Sequence, residues 1–187
     1  MQFEKLAIAG LVLITPVRHG DDRGYFVETH RQDLFEAAIG PVAFVQDNQS
    51  MSAEVGTIRG LHFQVNPRAQ GKLVRCLFGA ILDVAVDIRR GSPTYGRHVA
   101  VELSAENGRQ LWLPTGFAHG FCTLRPNTVI AYKVTDVYSP AHDRGLLWND
   151  PDLAIDWPVA EDRAVLSGKD RVQPRFAELD TDFVFVD

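Results

Sequence analysis

"AILDVAVDI", residues 80–88, mixes alternation with β-branched side chains and so predicts a strand. Similar runs surround it: "HVAVEL" (98–103), "RQLWLP" (109–114), "HGFCTL" (119–124) and "VIAYKVTDVY" (129–138). Between them lies turn chemistry. "AENG" (105–108) puts Asn-Gly where a tight hairpin wants positive φ, "RPN" (125–127) separates the next pair, and "RRGSPTYG" (89–96) makes a longer loop. Short strands at this spacing predict a mainly β, antiparallel sandwich or barrel.

Helical signals are few. "RQDLFEAAI" (31–39) sets Leu34, Phe35, Ala38 and Ile39 on one face and stops at Gly40-Pro41, which predicts a short helix. The opening "MQFEKLAIAGLVLITP" has a modest apolar run, with Glu4 in its charged part and no small-residue cleavage signal after it, and reads as a strand of the mature protein. Beyond Tyr138, "SPAHDRGLLWNDPDLAIDWP" has no sustained period and reads as an extended wrap over the barrel; the final "FAELDTDFVFVD" ends in a short strand or stays loosely attached. No repeat or linker divides the 187 residues, so one domain spanning 1–187 is expected.

Composition excludes some function classes. A formal charge of −5 with scattered Lys and Arg gives nucleic acid no basic patch to meet, and no run of about 20 apolar residues could span a bilayer. Cys76 and Cys122 sit inside apolar strand-like runs, as reduced thiols in a cytoplasmic protein would.

Polar groups inside such runs are where burial can tune a pKa, and His62, Lys72, His119 and Tyr132 stand out. Each also has an ordinary structural reading as a hydrogen-bonded or core residue. A metal site is poorly supported, because His62 is followed by Phe63 and Gln64, with no His-x-His pair and no nearby carboxylate. There is no Gly-x-Ser-x-Gly elbow, no dinucleotide fingerprint and no phosphate loop. What remains is proton transfer by side chains alone: His as base, Lys or Arg as electrostatic stabiliser, Tyr as acid.

Eight segments in order, "DDRGYFVET" (21–29), "FVQDNQSMS" (44–52), "GTIRGLHFQ" (56–64), "QGKLVRCLFGAILDVAVDIRRGSPTYG" (70–96), "LWLPTGFAHGF" (111–121), "AYKVTDVYSP" (131–140), "GLLWNDPDLAIDWP" (145–158) and "LSGKDRVQP" (166–174), give the chain a marked likeness. It resembles the dTDP-4-dehydrorhamnose 3,5-epimerase family over nearly its whole length. The resemblance implies a double-stranded β-helix, a cupin-like jelly-roll barrel, usually a homodimer, working without cofactor or metal. It implies a substrate, dTDP-4-dehydro-6-deoxy-D-glucose, whose C4 ketone acidifies the hydrogens at C3 and C5, and a product used for dTDP-L-rhamnose and surface polysaccharide.

By the same resemblance His62 is the base, Asp170 its partner, Lys72 the cation beside the enolate oxygen and Tyr132 the acid on the opposite face. Arg23, Glu28, Gln46, Asn48, Arg59, His119 and Lys169 match the substrate-contacting set, with Phe26 and Tyr138 as stacking groups near the thymine. Where the family usually has Glu two residues before the Gly of its Gly-x-x-Trp motif, this chain has the shorter Asp143. Three other readings stay open: an epimerase acting at C3 or C5 alone, a sugar-nucleotide-binding protein without turnover, and a metal-dependent cupin enzyme.

Overall fold

The computed structural model describes residues 1–186. The N-terminal segment expected as one strand is two, β1 (Gln2–Lys5) and β2 (Val12–Thr15), paired antiparallel. The chain turns at 6–11, where Leu6 N–H donates to Leu11 O, so the apolar run from Leu6 to Ile14 hides a reversal. β3 (Arg18–Asp21) and β4 (Gly24–Val27) form a separate hairpin that, among the described residues, pairs with no other strand. The expected helix follows as α1 (Gln32–Ile39), with Phe35 buried and Leu34, Ala38 and Ile39 partly covered.

From here the chain passes repeatedly between two sheets. β5 (Gln46–Ser52), β6 (Ile58–Gln64), β7 (Lys72–Phe78), β8 (Ala80–Asp87), β9 (His98–Ser104), β10 (Gln110–Leu113), β11 (Phe117–Thr123), β12 (Thr128–Val134) and β13 (Asp143–Gly145) assemble as β1-β2-β10-β7-β12-β5 and β13-β6-β11-β8-β9. Two facing antiparallel sheets joined by such crossings make the fold a cupin-like double-stranded β-helix.

The crossings revise the reading of the turns. Asn107-Gly108 does turn sharply, with Gly108 at φ +64, but it carries the chain from β9 in one sheet to β10 in the other. Arg125–Asn127 likewise links strands of different sheets. The longer loop at 89–96 is the one that closes a hairpin, between β8 and β9. Turn chemistry reports that the backbone reverses, not whether the flanking strands pair.

β8 reads as nearly continuous apolar sequence because both its faces are covered. Ile81 and Ala85 point between the sheets, where they join Leu13, Val74, Leu111 and Ile130. Val84 and Val86 point outward onto Trp148, Leu153 and Trp157 of the C-terminal wrap. That wrap contains three short 3-10 turns and no long element, as expected. Its end makes an isolated parallel bridge at Val184 to Arg90 and buries Phe183, so it is docked rather than loose; Asp187 lies outside the described residues.

On the other outer face, α1 lays Phe35 against Val12, Ile14, Leu73 and Trp112. The Phe35 and Trp112 rings meet edge to face at 5.3 Å. Truncation there removes a whole buried ring, so Phe35→Ala is expected to cost about 3–5 kcal/mol in chemical denaturation. An unchanged midpoint would contradict this account of how the helix is held.

Candidate functional site

β6 and β11 come unusually close. A Cβ on Gly60, which sits at φ +135, would lie 2.4 Å from Gly120 Cα, so only glycine allows the contact. The pairing sets His62 directly opposite His119, and both point to the inner face. Strand alternation puts Gln64 on that face too, two residues on. His62 is half-buried, and its Nε2 lies 2.6 Å from Asp170 Oδ1.

Asp170 reaches His62 from the C-terminal wrap, where a short 3-10 turn begins. It is 3% exposed. Ser167 Oγ donates to its second oxygen at 2.8 Å. Burial alone would raise the Asp170 carboxyl; the hydrogen bonds from His62 and Ser167 and the charges of His62 and Lys169 outweigh it and hold the group below its ordinary value. An ionised Asp170 takes the Nε2 proton of a neutral imidazole as its hydrogen bond, which leaves Nδ1 as the basic nitrogen.

The opposite wall belongs to the other sheet. Tyr132 on β12 stands between Asn48 on β5 and Val74 on β7. Burial raises its phenol above the usual value; Arg59 opposes this and Asp143 adds to it. Lys72, at the start of β7, donates to the His62 carbonyl at 3.2 Å. Burial pushes its ammonium down to about 8, against the raising influence of Asp143 and Asp83. The lysine therefore lies within reach of changing its charge near neutrality.

His62, Lys72 and Tyr132 border one cavity of about 380 Å³, together with Gln46, Asn48, Tyr138, Asp143 and Lys169. That volume suits a hexose-sized group. Asp143 is held by Lys169 Nζ and, at 3.4 Å, by Tyr138 Oη, so the shorter carboxylate is tied into the cavity rim. Gln46 is engaged internally: its Oε1 accepts from Tyr138 N–H at 3.0 Å and its Nε2 donates to Asn48 Oδ1 at 2.7 Å.

Other expected residues lie elsewhere. His119 is buried beneath the cavity, with Nε2 2.8 Å from Asp83 Oδ1. Arg59 donates to Ser52 Oγ and the Met51 carbonyl, close enough to Tyr132 for its charge to be felt there. Arg23, Phe26 and Glu28 are on or beside the β3–β4 hairpin and do not border this cavity. The Arg23 side chain is 90% exposed and pairs with Asp21. Among the described residues, no group of three or more His, Cys, Asp or Glu side chains is placed to hold a metal ion, and no helix is long and apolar enough to cross a membrane.

Three residues of the site escaped the sequence reading. Gln64 and Ser167 stand beside His62 and Asp170, and Asp83 is fully buried with an Oδ2 that accepts no hydrogen bond among the described residues. Asp83 had a signal: a lone carboxylate between Leu82 and Val84 in an apolar run is a buried charge.

Comparison with known proteins bears on the geometry. The family model described as dTDP-4-dehydrorhamnose 3,5-epimerase matches residues 5–178. A dTDP-4-dehydrorhamnose 3,5-epimerase of Sinorhizobium fredii is 57% identical over 186 residues, covering 100% of this chain and 95% of the relative. The crystal structure of the Bacillus anthracis enzyme of that name, with TDP and PPi bound, superposes with a TM-score of 0.88 at 50% identity, over 93% of this chain and 99% of the other. A dTDP-6-deoxy-D-glucose-3,5-epimerase from Legionella pneumophila, in complex with dTDP-4-keto-L-rhamnose, gives a TM-score of 0.91 at 46% identity, over 96% and 94%. With a matching profile over most of its length, full-length relatives and the same fold, the chain belongs to the dTDP-4-dehydrorhamnose 3,5-epimerase family.

Proposed function

We propose that the protein is an isomerase that converts dTDP-4-dehydro-6-deoxy-D-glucose to dTDP-4-dehydro-L-rhamnose by inverting C3 and C5. The observation that carries this reading is the placement of a His62–Asp170 pair and a Tyr132 phenol on opposite sheets of one cavity, with Lys72 beside them. Inversion needs a base on one face and an acid on the other.

In the proposed sequence, His62 Nδ1 takes the proton from a carbon next to the C4 ketone. The electron pair of that C–H bond passes into the carbonyl and gives an enolate. Asp170 holds the ring and stabilises the imidazolium that forms, while the Lys72 ammonium meets charge that exists in full only on the enolate oxygen. Tyr132 then gives its proton to the opposite face of the carbon, collapsing the enolate to the ketone. The tyrosinate recovers a proton from water and the imidazolium releases one, so the balance closes without an added electron donor or acceptor.

Tyr132→Phe separates the halves of this sequence. The variant is expected to lose about 10²–10⁴-fold in formation of the inverted product, the usual worth of a positioned acid, while proton removal at carbon continues. Product NMR and solvent exchange, measured together, check it; normal turnover by the variant would remove Tyr132 from the acid role.

The nucleotide end rests on a homodimer. The β3–β4 hairpin, carrying Arg23 and Phe26, pairs with no strand of either sheet among the described residues, and a second copy offers it a cavity to complete. Arg23 and Arg59 supply forks for the diphosphate, and Phe26 and Tyr138 supply rings for the base. The work is done in the cytoplasm, in keeping with two reduced, buried cysteines.

The assignment is tested by incubating the purified protein with the 4-keto sugar nucleotide and reading the product configuration by NMR. Inversion at both centres is expected. Inversion at one alone would make it a single-centre epimerase, and inversion at neither would overturn the reading.

A further inference from the structure

Gln64 is 3% exposed, and its amide is occupied entirely by backbone. Its Nε2 donates to the Arg68 carbonyl at 2.6 Å and to the Val137 carbonyl at 3.3 Å. Its Oε1 accepts from Ser139 N–H at 2.7 Å. The residue between those last two partners is Tyr138, whose own N–H donates to Gln46 Oε1 at 3.0 Å.

Two glutamines thus grip consecutive peptide units of one irregular segment. Gln64 comes from β6 in one sheet and Gln46 from β5 in the other, so the segment spans the mouth of the cavity between the sheets. Among the described residues nothing else fixes the ring strongly: Tyr138 is 56% exposed, and its hydroxyl makes only the 3.4 Å contact to Asp143. A side chain so exposed is as ordered as the backbone that bears it.

We infer that Gln64 is a positioning residue that, paired with Gln46, clasps Val137–Ser139 and so presets the Tyr138 ring at the cavity mouth for the base of the sugar nucleotide. The inference rests on the proposed function for the identity of that ligand. A preset ring binds without the cost of ordering the segment, so the clasp acts on binding rather than on the proton transfers. Gln64 lies two residues beyond His62 on the same strand, so the base and the clasp share one rigid element.

The test compares the whole protein with Gln64→Ala and Gln64→Glu. The glutamate keeps the acceptor for Ser139 N–H and turns an oxygen toward the Arg68 and Val137 carbonyls, so both variants break the clasp. KM for the dTDP-sugar is expected to rise about tenfold or more, with kcat within about threefold. Tyr138→Ala is expected to raise KM in the native background and to add little in the Gln64→Ala background, because the ring is already misplaced there. Additive effects, or an unchanged KM in both Gln64 variants, would overturn the inference.

Amide hydrogen exchange gives a readout independent of turnover. The Tyr138 and Ser139 amides of the native protein are expected to be protected by about 10²-fold or more, as hydrogen-bonded backbone is. If they exchange at open-loop rates the clasp does not exist, whether or not the protein proves to be an epimerase. Failure of the native protein to turn over the sugar would instead strike the proposed function alone.

Discussion

His62→Ala is expected to stop exchange of the carbon-bound hydrogens of the substrate, with a loss of about 10²–10⁴-fold even if other groups remove protons slowly. The loss should appear in kcat rather than KM, because the imidazole's contribution grows as the proton moves. Folding should survive. Asp170 loses its hydrogen bond at 2.6 Å but keeps Ser167 Oγ at 2.8 Å, and the packed face of β6 carries Leu61 and Phe63, which the substitution leaves in place. Circular dichroism on the variant checks that the barrel is intact. A variant with native exchange rates would remove His62 from the role of base, whatever the protein's reaction.

Lys72→Met is the second large effect expected. The methionine fills nearly the same space without the charge, so the loss reports electrostatics: about 2.7–4 kcal/mol of barrier, or roughly 10²–10³ in kcat. The same residue sets a pH dependence with a definite sign. Its ammonium, pushed down to about 8 by burial, loses its proton as pH rises through that value, so activity should fall on the alkaline side near pH 8. Stability should move the other way. Between about 8 and the ordinary value of 10.5 the unfolded chain binds the proton that the fold has released, so this group's contribution to stability rises with pH. Asp143 and Asp83 are the carboxylates that oppose the downward shift, and removing either charge should carry the alkaline limb to lower pH. An alkaline limb that stays in place in Lys72→Met, with kcat unchanged, would refute the role.

The strands between residues 80 and 134 were legible because β-branched and aromatic residues gather there in short runs bounded by turn chemistry. The connectivity was not. Asn107-Gly108 demands a turn in either arrangement, and whether β9 pairs with β10 or crosses to the other sheet depends on which faces the remaining strands bury. The N-terminal reversal at 6–11 was masked by apolar residues that stay buried through the turn, Ile8 and Leu11 among them. The one-domain expectation also came from composition, which sees bulk and not topology.

At the site, the individual polar residues in strand-like runs were visible, but their association was not. His62 and Asp170 are 108 residues apart, and no local pattern joins them; the resemblance of motifs did. Alternation predicts that Gln64 shares a face with His62, yet a glutamine in a strand reads as solvent-facing until both outer faces are known to be covered. Asp83 stood out as a carboxylate in an apolar run, but its place in the barrel interior follows only once its neighbours Leu82 and Val84 are seen to point to the wrap. Arg23, Phe26 and Glu28 carry a recognisable motif, yet the structure sets them on or beside the β3–β4 hairpin, where they do not border the cavity.

Solvent deuterium wash-in is the most direct measure of whether a histidine-based cavity moves protons at carbon beside a ketone. With the native protein in deuterated water and the 4-keto sugar nucleotide, label should enter both C3 and C5, and its rate should collapse in His62→Ala. A sugar recovered without label at either carbon, from protein shown to bind it, would contradict the account.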